Sequence, residues 1–497
     1  MNFKNIILKN NQSRIGFLVL TLFALDLLSY LAFFNASLLK ISFIVIVLIS
    51  AALTIYKLEY GILILLAELL IGSKGYFFYF PLGGRLIPIR MVLWALVMLI
   101  FSIKLISQLI KSGRLSEYYQ KIIKFPYLKY FALLALFIII GVVNGILRHH
   151  AYLNIYSDFN AFVYLLLLFP AIVVYTKNEE VKERNIFSNL KVVFLSGAIY
   201  LSLETLILLF IFTHNLNMAG DVYAWLRKTL IGEMTPTLSG WPRIFIQSQI
   251  YPIIAFLFIS FKKWSSRRDI MVKVFLAALF LSSALISFSR SFWIALAGTL
   301  AFSFILIWRY ENFKKGGALI LKTLGAGVLG FLLIYLVAIF PYPKTGAFNA
   351  DFLNRISNGG ESAISSRWSL MPVLLKEIRK EPFLGQGFGA TITYKSSDPR
   401  ILQANPNGLY TTFAFEWGYL DLWLKIGLFG LLSYFLLLFI LLKNSLKKEG
   451  LNYLNLGLGM GIVFIALTHI FTPYLNHPLG LGYLLIASCL IPLTRVY

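Results

Sequence analysis

Apolar runs of about 17 to 25 residues recur from Ile15 to Leu493, and each could cross roughly 30 Å of hydrocarbon as a helix. A segment surrounded by lipid must satisfy its own backbone polar groups, so runs of this length read as helices rather than open strands. The chain is 497 residues long, 59% hydrophobic and 13% charged, with a mean hydropathy of +0.79. That is more apolar surface than a water-soluble core can hide. The expected fold is all-α and polytopic, one membrane domain over 1–497. About fourteen spans are expected, starting near 15, 38, 58, 88, 128, 158, 192, 243, 272, 291, 319, 417, 451 and 478.

The first run, Ile15 to Phe34, follows the basic residues Lys4, Lys9 and Arg14, as in a signal peptide. Phe33-Phe34-Asn35 offers no small-residue cleavage site, so the run reads as a retained span. The single cysteine, Cys489, falls in the last run; it admits no intramolecular disulfide and reads as a small buried apolar residue. A net charge of +24 could suggest nucleic acid, but here it is scattered over short loops rather than gathered on one face. With fourteen spans both termini are cytoplasmic. More than half of the 45 Lys and Arg then lie on the cytoplasmic side, among them Lys262-Lys263, Arg267-Arg268 and Lys447-Lys448.

The outward segments on this topology are Tyr76 to Arg90, Arg148-His149-His150, His214 to Arg243, a long polar loop at 341–416, and His469 to His477. The late loop is the longest polar interval in the chain. Phe340-Pro341-Tyr342-Pro343 ends the preceding helix, because proline lacks the amide donor and restricts its predecessor. From Ser365 an amphipathic helix is expected along the membrane surface, with Trp368, Met371, Leu375 and Ile378 on one face. Beyond it, the alternating glycines Gly385, Gly387 and Gly389 suit either close approach of amides to an anion or a flexible turn. No fixed-period repeat and no likeness between the two halves is visible, which counts against many transporter folds.

Several side chains could carry chemistry. Arg290 sits in the polar break Ser287-Phe288-Ser289-Arg290-Ser291 between two spans. Its planar fork suits a lipid phosphate or diphosphate, the alternative being an arginine that snorkels to the interface. Glu416, where the late loop meets the next span, could be desolvated into a better proton acceptor, or could pair with a loop arginine. Asp421 and Lys425 follow about one and two turns on. Asp26, Glu68 and Glu204 lie inside apolar runs, as proton-coupling groups or as polar glue between helices. Arg367 of the late loop, and Arg148, Arg243 and Arg355, are outward cations that could contact or line a substrate path. His469 and His477 could line that path or act in acid–base chemistry. No histidine shows metal-ligand spacing, so neither metal nor cofactor is expected.

Three of these elements together resemble the O-antigen ligase and polymerase superfamily of bacterial envelope polysaccharide assembly. They are Ser289-Arg290-Ser291 before an apolar span, Arg367-Trp368 leading through Glu381-Pro382-Phe383-Leu384-Gly385-Gln386-Gly387-Phe388-Gly389, and the end of the late loop running into Gly427 and Gly430. The likeness covers roughly Ile286 to Leu441. It implies a metal-independent glycosyltransferase that takes a glycan from a polyprenyl diphosphate outside the bacterial cytoplasmic membrane, with arginines cradling the diphosphate. Ligases of the family show a histidine, then Asn, Ser or Gln, nine residues, a glycine, two residues, and a small residue or tyrosine. This chain has Glu416, Trp417, nine residues, Gly427, two residues and Gly430.

The register matches and the histidine does not, which favours a polymerase over a ligase and gives Glu416 the base role. Arg290 and Arg367 would then hold the diphosphate, and the reaction would invert the anomeric centre. The expected partners are a polyprenyl-diphosphate-linked oligosaccharide, an acceptor glycan, the lipid bilayer and a chain-length regulator; nucleic acid is not among them. A ligase that moves the finished glycan to lipid A core or another acceptor is the alternative enzyme. A lipid-linked oligosaccharide flippase is the alternative from another class, and should show two similar halves and short loops throughout. Outward arginines gathered around a single acid argue against a purely structural membrane protein.

Overall fold

The computed structural model describes residues 11–112, 117–176, 180–236, 241–262, 266–341, 362–446 and 453–493. The chain begins with α1 (Asn11–Phe33), α2 (Ala36–Tyr56) and α3 (Leu58–Ile71), then an antiparallel hairpin of β1 (Tyr79–Leu82) and β2 (Arg85–Pro88). Next come α4 (Ile89–Ser112), α5 (Glu117–Ile123), α6 (Leu128–Leu147), α7 (Tyr152–Phe159) and α8 (Leu168–Tyr175). The middle holds α9 (Glu180–Thr213), α10 (Ala219–Thr229), a second hairpin of β3 (Gly232–Pro236) and β4 (Pro242–Ile246), and α11 (Ile250–Phe261). Three long helices follow, α12 (Arg267–Ile286), α13 (Arg290–Tyr310) and α14 (Phe313–Ile339). The late loop carries α15 (Ser362–Ile378), β5 (Ile392–Lys395), α16 (Pro399–Ala404) and β6 (Leu409–Thr412). The chain then runs through α17 (Gly418–Ser445), α18 (Tyr453–His469) and α19 (Pro478–Leu493).

The protein is an all-α, multi-pass membrane protein. Among the described residues, ten passes are long and apolar enough to cross a bilayer, and 247–261, 453–469 and 478–491 are shorter apolar helices. The fourteen-residue α3 brings the helical passes to the expected number, and the start expected near 451 lies outside the described residues. One start was misplaced. Around 243 the chain is strand β4, whose alternating burial turns Ile244 and Ile246 inward, and helix begins only beyond Gln247–Gln249. The α15 face is as expected at Ile378, which is buried, and at Met371 and Leu375, which pack against the core, but Leu370 and Leu374 complete the buried stripe and Trp368 is exposed, because the core meets the helix slightly around from the expected side.

The segments expected to face outward gather at one end. The Tyr474 hydroxyl donates to the Gln247 carbonyl (2.8 Å), the Trp225 indole N–H to Ser29 (3.1 Å), and Ser29 in turn to the Phe77 carbonyl (2.7 Å). At the other end Asn189 reaches Glu59 (2.7 Å), and Arg14 also bonds Asn189. Glu68 is resolved as glue between helices: Arg90 binds it through Nε (2.6 Å) and a second guanidinium nitrogen (3.2 Å), both side chains being buried. Such a pair is tolerated in hydrocarbon because its two charges cancel.

Helix α17 is broken at Gly427, whose φ of 71° and ψ of 178° interrupt the backbone ladder in mid-membrane. Orphaned groups there would cost several kcal/mol each in lipid, on the order of those in an apolar solvent. The late loop supplies their partners. Leu428 N donates to the Pro382 carbonyl (2.9 Å), Phe429 N to that of Phe383 (3.3 Å), and the Leu424 carbonyl accepts from Gln386 N (2.7 Å). A Cβ at Gly427 would stand 2.1 Å from the Phe383 oxygen. Gly427→Ala is therefore expected to cost at least roughly 1–3 kcal/mol of backbone strain and to displace the strip, measurable as earlier thermal unfolding in detergent.

Candidate active site

The late loop lies on a small apolar core of its own. Leu370, Leu374 and Ile378 of α15 pack with Ile392 of β5, Phe415, Trp417 and Leu424. Trp417 fixes the junction: its indole N–H donates to the Arg367 carbonyl (2.9 Å), and its ring meets Trp368 (5.4 Å) and Phe471 (5.6 Å). At this junction the Arg367 guanidinium and the Glu416 carboxylate form an ion pair. The expected desolvation of Glu416 is not found. The side chain is 55% exposed, because the apolar contacts at this corner are taken by Phe415 and Trp417 on either side. The alternative, pairing with a loop arginine, is what occurs.

Arg290 opens α13 after the tight break at Ser287–Ser289, in which Phe288 is left-handed (φ 47°). Serines knit the break together: Ser289 N donates to Ser287 Oγ (3.2 Å), and the hydroxyls of Ser289 and Ser291 are 2.9 Å apart. Arg243 joins it from β4, donating through Nε to the Ser287 carbonyl (3.1 Å). The 470–477 connection bridges this break to the Glu416 junction. Thr472 donates to Ser291 (3.1 Å), the neighbouring Phe471 touches Trp417, and Asn476 reaches Asp421 in the first turn of α17 (2.5 Å). Arg243, the Arg290 break, Arg367 and Glu416 are thus assembled around one connection at one end of the bundle.

Beneath Glu416 lies a buried ion network. The Lys425 ammonium, 1% exposed, bonds the Asp158 carboxylate and makes an ion pair with Asp421 (2.5 Å). It also sits 5.5 Å from the centre of the Phe415 ring, beside Glu416. The second oxygen of Asp158 accepts from Gly389 N (3.0 Å), which ties α7, α17 and the glycine strip into one unit. An Asp and a Lys four apart within an apolar run are the sequence signal of this network. Asp158 gave none, since it stands at a helix end where an exposed acid is ordinary.

The glycine strip is neither an anion cradle nor a flexible turn. Four of its amides are engaged: Gly385 N with the Glu381 carbonyl (3.1 Å), Gln386 N with that of Leu424 (2.7 Å), Phe388 N with that of Gly141 (3.0 Å), and Gly389 N with Asp158. Gly387, at φ 93°, lies so close to α6 that a Cβ would be 2.2 Å from Gly145 N. Asn144 of α6 donates to the Leu384 (3.2 Å) and Gly385 (3.3 Å) carbonyls. Arg148, expected to line a substrate path, instead pairs with Glu381 (2.9 Å) and helps clamp the strip. Both partners are largely exposed, so Arg148→Ala is expected to cost only about 0–1 kcal/mol in a thermal unfolding measurement.

The remaining candidates separate. His469 is fully buried, its Nδ1 accepting from Leu475 N (3.0 Å), with Tyr419 edge-on at 4.7 Å; it orders the 470–477 connection from below. His477 is half-buried beside Arg90. Burial first, then the Arg90 and Lys74 cations, push its pKa down to about 3, so it is a neutral imidazole near neutral pH. Arg355 lies outside the described residues.

A comparison of the sequence with known families decides what this assembly is like. Residues 274–435, which hold the Arg290 break, the described half of the late loop, Glu416 and the Gly427 notch, match the O-antigen ligase family. The chain carries an O-antigen ligase-like domain. The match covers about a third of the chain, and no curated protein sequence matches. In O-antigen ligase terms, the spacing from Glu416 to Gly427 is the distance from the loop junction to the break in α17. Helix α17 begins at Gly418, and the nine residues from there to Gly427 rise about 14 Å, so the motif sets how far the junction stands above the notch that anchors the strip.

Proposed function

We propose that this protein polymerises polyprenyl-diphosphate-linked oligosaccharide repeats into a bacterial cell-surface polysaccharide. The observation that carries the reading is the O-antigen ligase match over a segment in which an arginine–glutamate pair stands beside a second arginine-bearing break. Lysines and arginines such as Lys57, Lys121, Lys262, Arg267, Arg268 and Lys315 border the opposite end, which the positive-inside rule makes cytoplasmic. The loop-covered end then faces outward, and the donor lipid reaches it from the outer leaflet of the cytoplasmic membrane.

In the proposed mechanism the donor diphosphate engages Arg290 and competes with Glu416 for Arg367. Exchange of one anion for another on Arg367 frees the Glu416 carboxylate. Glu416 then takes the proton of an acceptor sugar hydroxyl as its oxygen bonds to the anomeric carbon. The bond from that carbon to the diphosphate oxygen breaks, its electron pair leaves with the diphosphate, and the configuration inverts. The two guanidinium groups stabilise the charge that gathers on the leaving group.

Glu416 at the position of the ligase histidine favours a polymerase, while the matched family itself favours a ligase. Product size separates them. Purified protein in liposomes given one lipid-linked oligosaccharide should yield a ladder of multiples if it polymerises; a single transfer to a separate acceptor, with no multiples, would establish the ligase. Arg290→Ala is expected to slow either product by about 10²–10³-fold with the fold intact, as for loss of one transition-state donor.

A further inference from the structure

Three groups of buried acids occur in the described helices, and two carry their own cation. Glu68 has Arg90, and Asp158 with Asp421 has Lys425. The third does not. Asp26 of α1 and Glu204 of α9 act on each other electrostatically across the α1–α9 contact, with the Tyr200 hydroxyl acting on both. Tyr200 and Glu204 are one turn apart on the same face of α9 and are 0% and 3% exposed. Both Glu204 oxygens, Asp26 Oδ1 and the Tyr200 hydroxyl are shut away from solvent, and the Tyr200 hydroxyl is the group placed to bond the two acids.

Among the described residues, no cation pairs with either acid. Arg14 and Lys191 stand about 18–20 Å along α1 and α9 from Asp26 and Glu204, and Glu59 bonds Asn189, Lys273 pairs with Asp269, Lys322 reaches the Ser260 carbonyl and Tyr251 the Leu479 carbonyl. Asp221 of α10 acts on Tyr30, not on Asp26. Two ionised carboxylates at this depth, without a cation, would be far costlier than the same groups carrying protons.

We propose that Asp26 and Glu204, capped by Tyr200, form an intramembrane proton-binding site that is occupied at neutral pH. The site lies apart from the Arg367–Glu416 junction and does not depend on the function proposed for that junction. Occupancy lets α1 pack on α9, and α1 in turn is bonded through Ser29 to the outward segments at Phe77 and Trp225. Loss of the protons at alkaline pH would push the two helices apart.

The test uses the full-length protein in lipid nanodiscs, treated with a hydrophobic carbodiimide and mapped by peptide mass spectrometry. A protonated carboxyl adds its oxygen to the central carbon of the reagent and passes its proton to a nitrogen, and the adduct rearranges to a stable N-acylurea. Labelling is expected on Glu204 or Asp26 at neutral pH, fading as the pH is raised, with Glu68 and Asp421 unlabelled. In parallel, Asp26→Asn/Glu204→Gln should match the wild-type melting temperature at neutral pH and lack the loss the wild type shows at alkaline pH. Identical pH profiles for the variant and the wild type would overturn the proposal even if the reagent fails to reach the site. Sodium that blocks labelling and raises the wild-type melting temperature at fixed pH would overturn it in favour of a metal cation.

Discussion

Lys425→Met is expected to destabilise the protein by roughly 3–5 kcal/mol, the range for removing one partner of a buried ion pair. The substitution keeps the apolar stem and removes the cation that stands between Asp158 and Asp421. Asp158 and Asp421 are 7% and 1% exposed, so neither can turn to water for compensation. Asp158 also holds Gly389 N, so its displacement would loosen the glycine strip and, through the strip, the backbone groups opened at Gly427. The effect should appear as a large fall in melting temperature, or as unfolding in mild detergent. Neutralising both acids together with the lysine, as Asp158→Asn/Asp421→Asn/Lys425→Met, should recover most of the loss, since no charge is then left unpaired. A Lys425→Met protein as stable as the wild type would show that the network does not hold the fold.

Glu416→Gln should leave the fold intact and lower glycosyl transfer by about 10²–10⁴-fold, the usual contribution of a positioned general base. The contrast with Lys425 follows from exposure: Glu416 is 55% exposed and its pairing with Arg367 is a surface contact, so little stability depends on it. Binding of the diphosphate donor should be retained or modestly strengthened, because glutamine no longer competes for Arg367. Full activity in Glu416→Gln would remove this residue from the chemistry, whereas loss of folded protein would mean that the junction is structural.

Much of the architecture is legible in the sequence, because a long series of apolar stretches, ten of them of membrane-spanning length among the described residues, leaves few alternatives in lipid. The misplaced start near 243 has a local cause: Pro242-Arg243-Ile244-Phe245-Ile246 is as apolar as a helix but alternates, and composition alone cannot separate the two. The polar residues were harder to read. Glu416 stands where the sequence places it, yet its exposure depends on the neighbours Phe415 and Trp417 taking up the apolar contacts. The glycines at 385, 387 and 389 invite an anion-binding reading, and only the positions of α6 and of the α17 break show where their amides go. Asp158 and Lys425 are 267 positions apart. Nothing in either local context announces the pairing, although the intramembrane spacing of Asp421 and Lys425 points to half of it.

The central claim is glycosyl transfer from a polyprenyl diphosphate at the loop-covered end. Its most direct test is chain growth by the purified protein in liposomes supplied with a polyprenyl-diphosphate oligosaccharide in metal-free buffer, comparing the wild type with Glu416→Gln and Arg290→Ala. The account predicts a ladder of longer glycans from the wild type that is lost in both variants while they remain folded. Folded wild-type protein that lengthens or transfers nothing, but moves the lipid-linked glycan across the bilayer, would contradict it and identify a flippase.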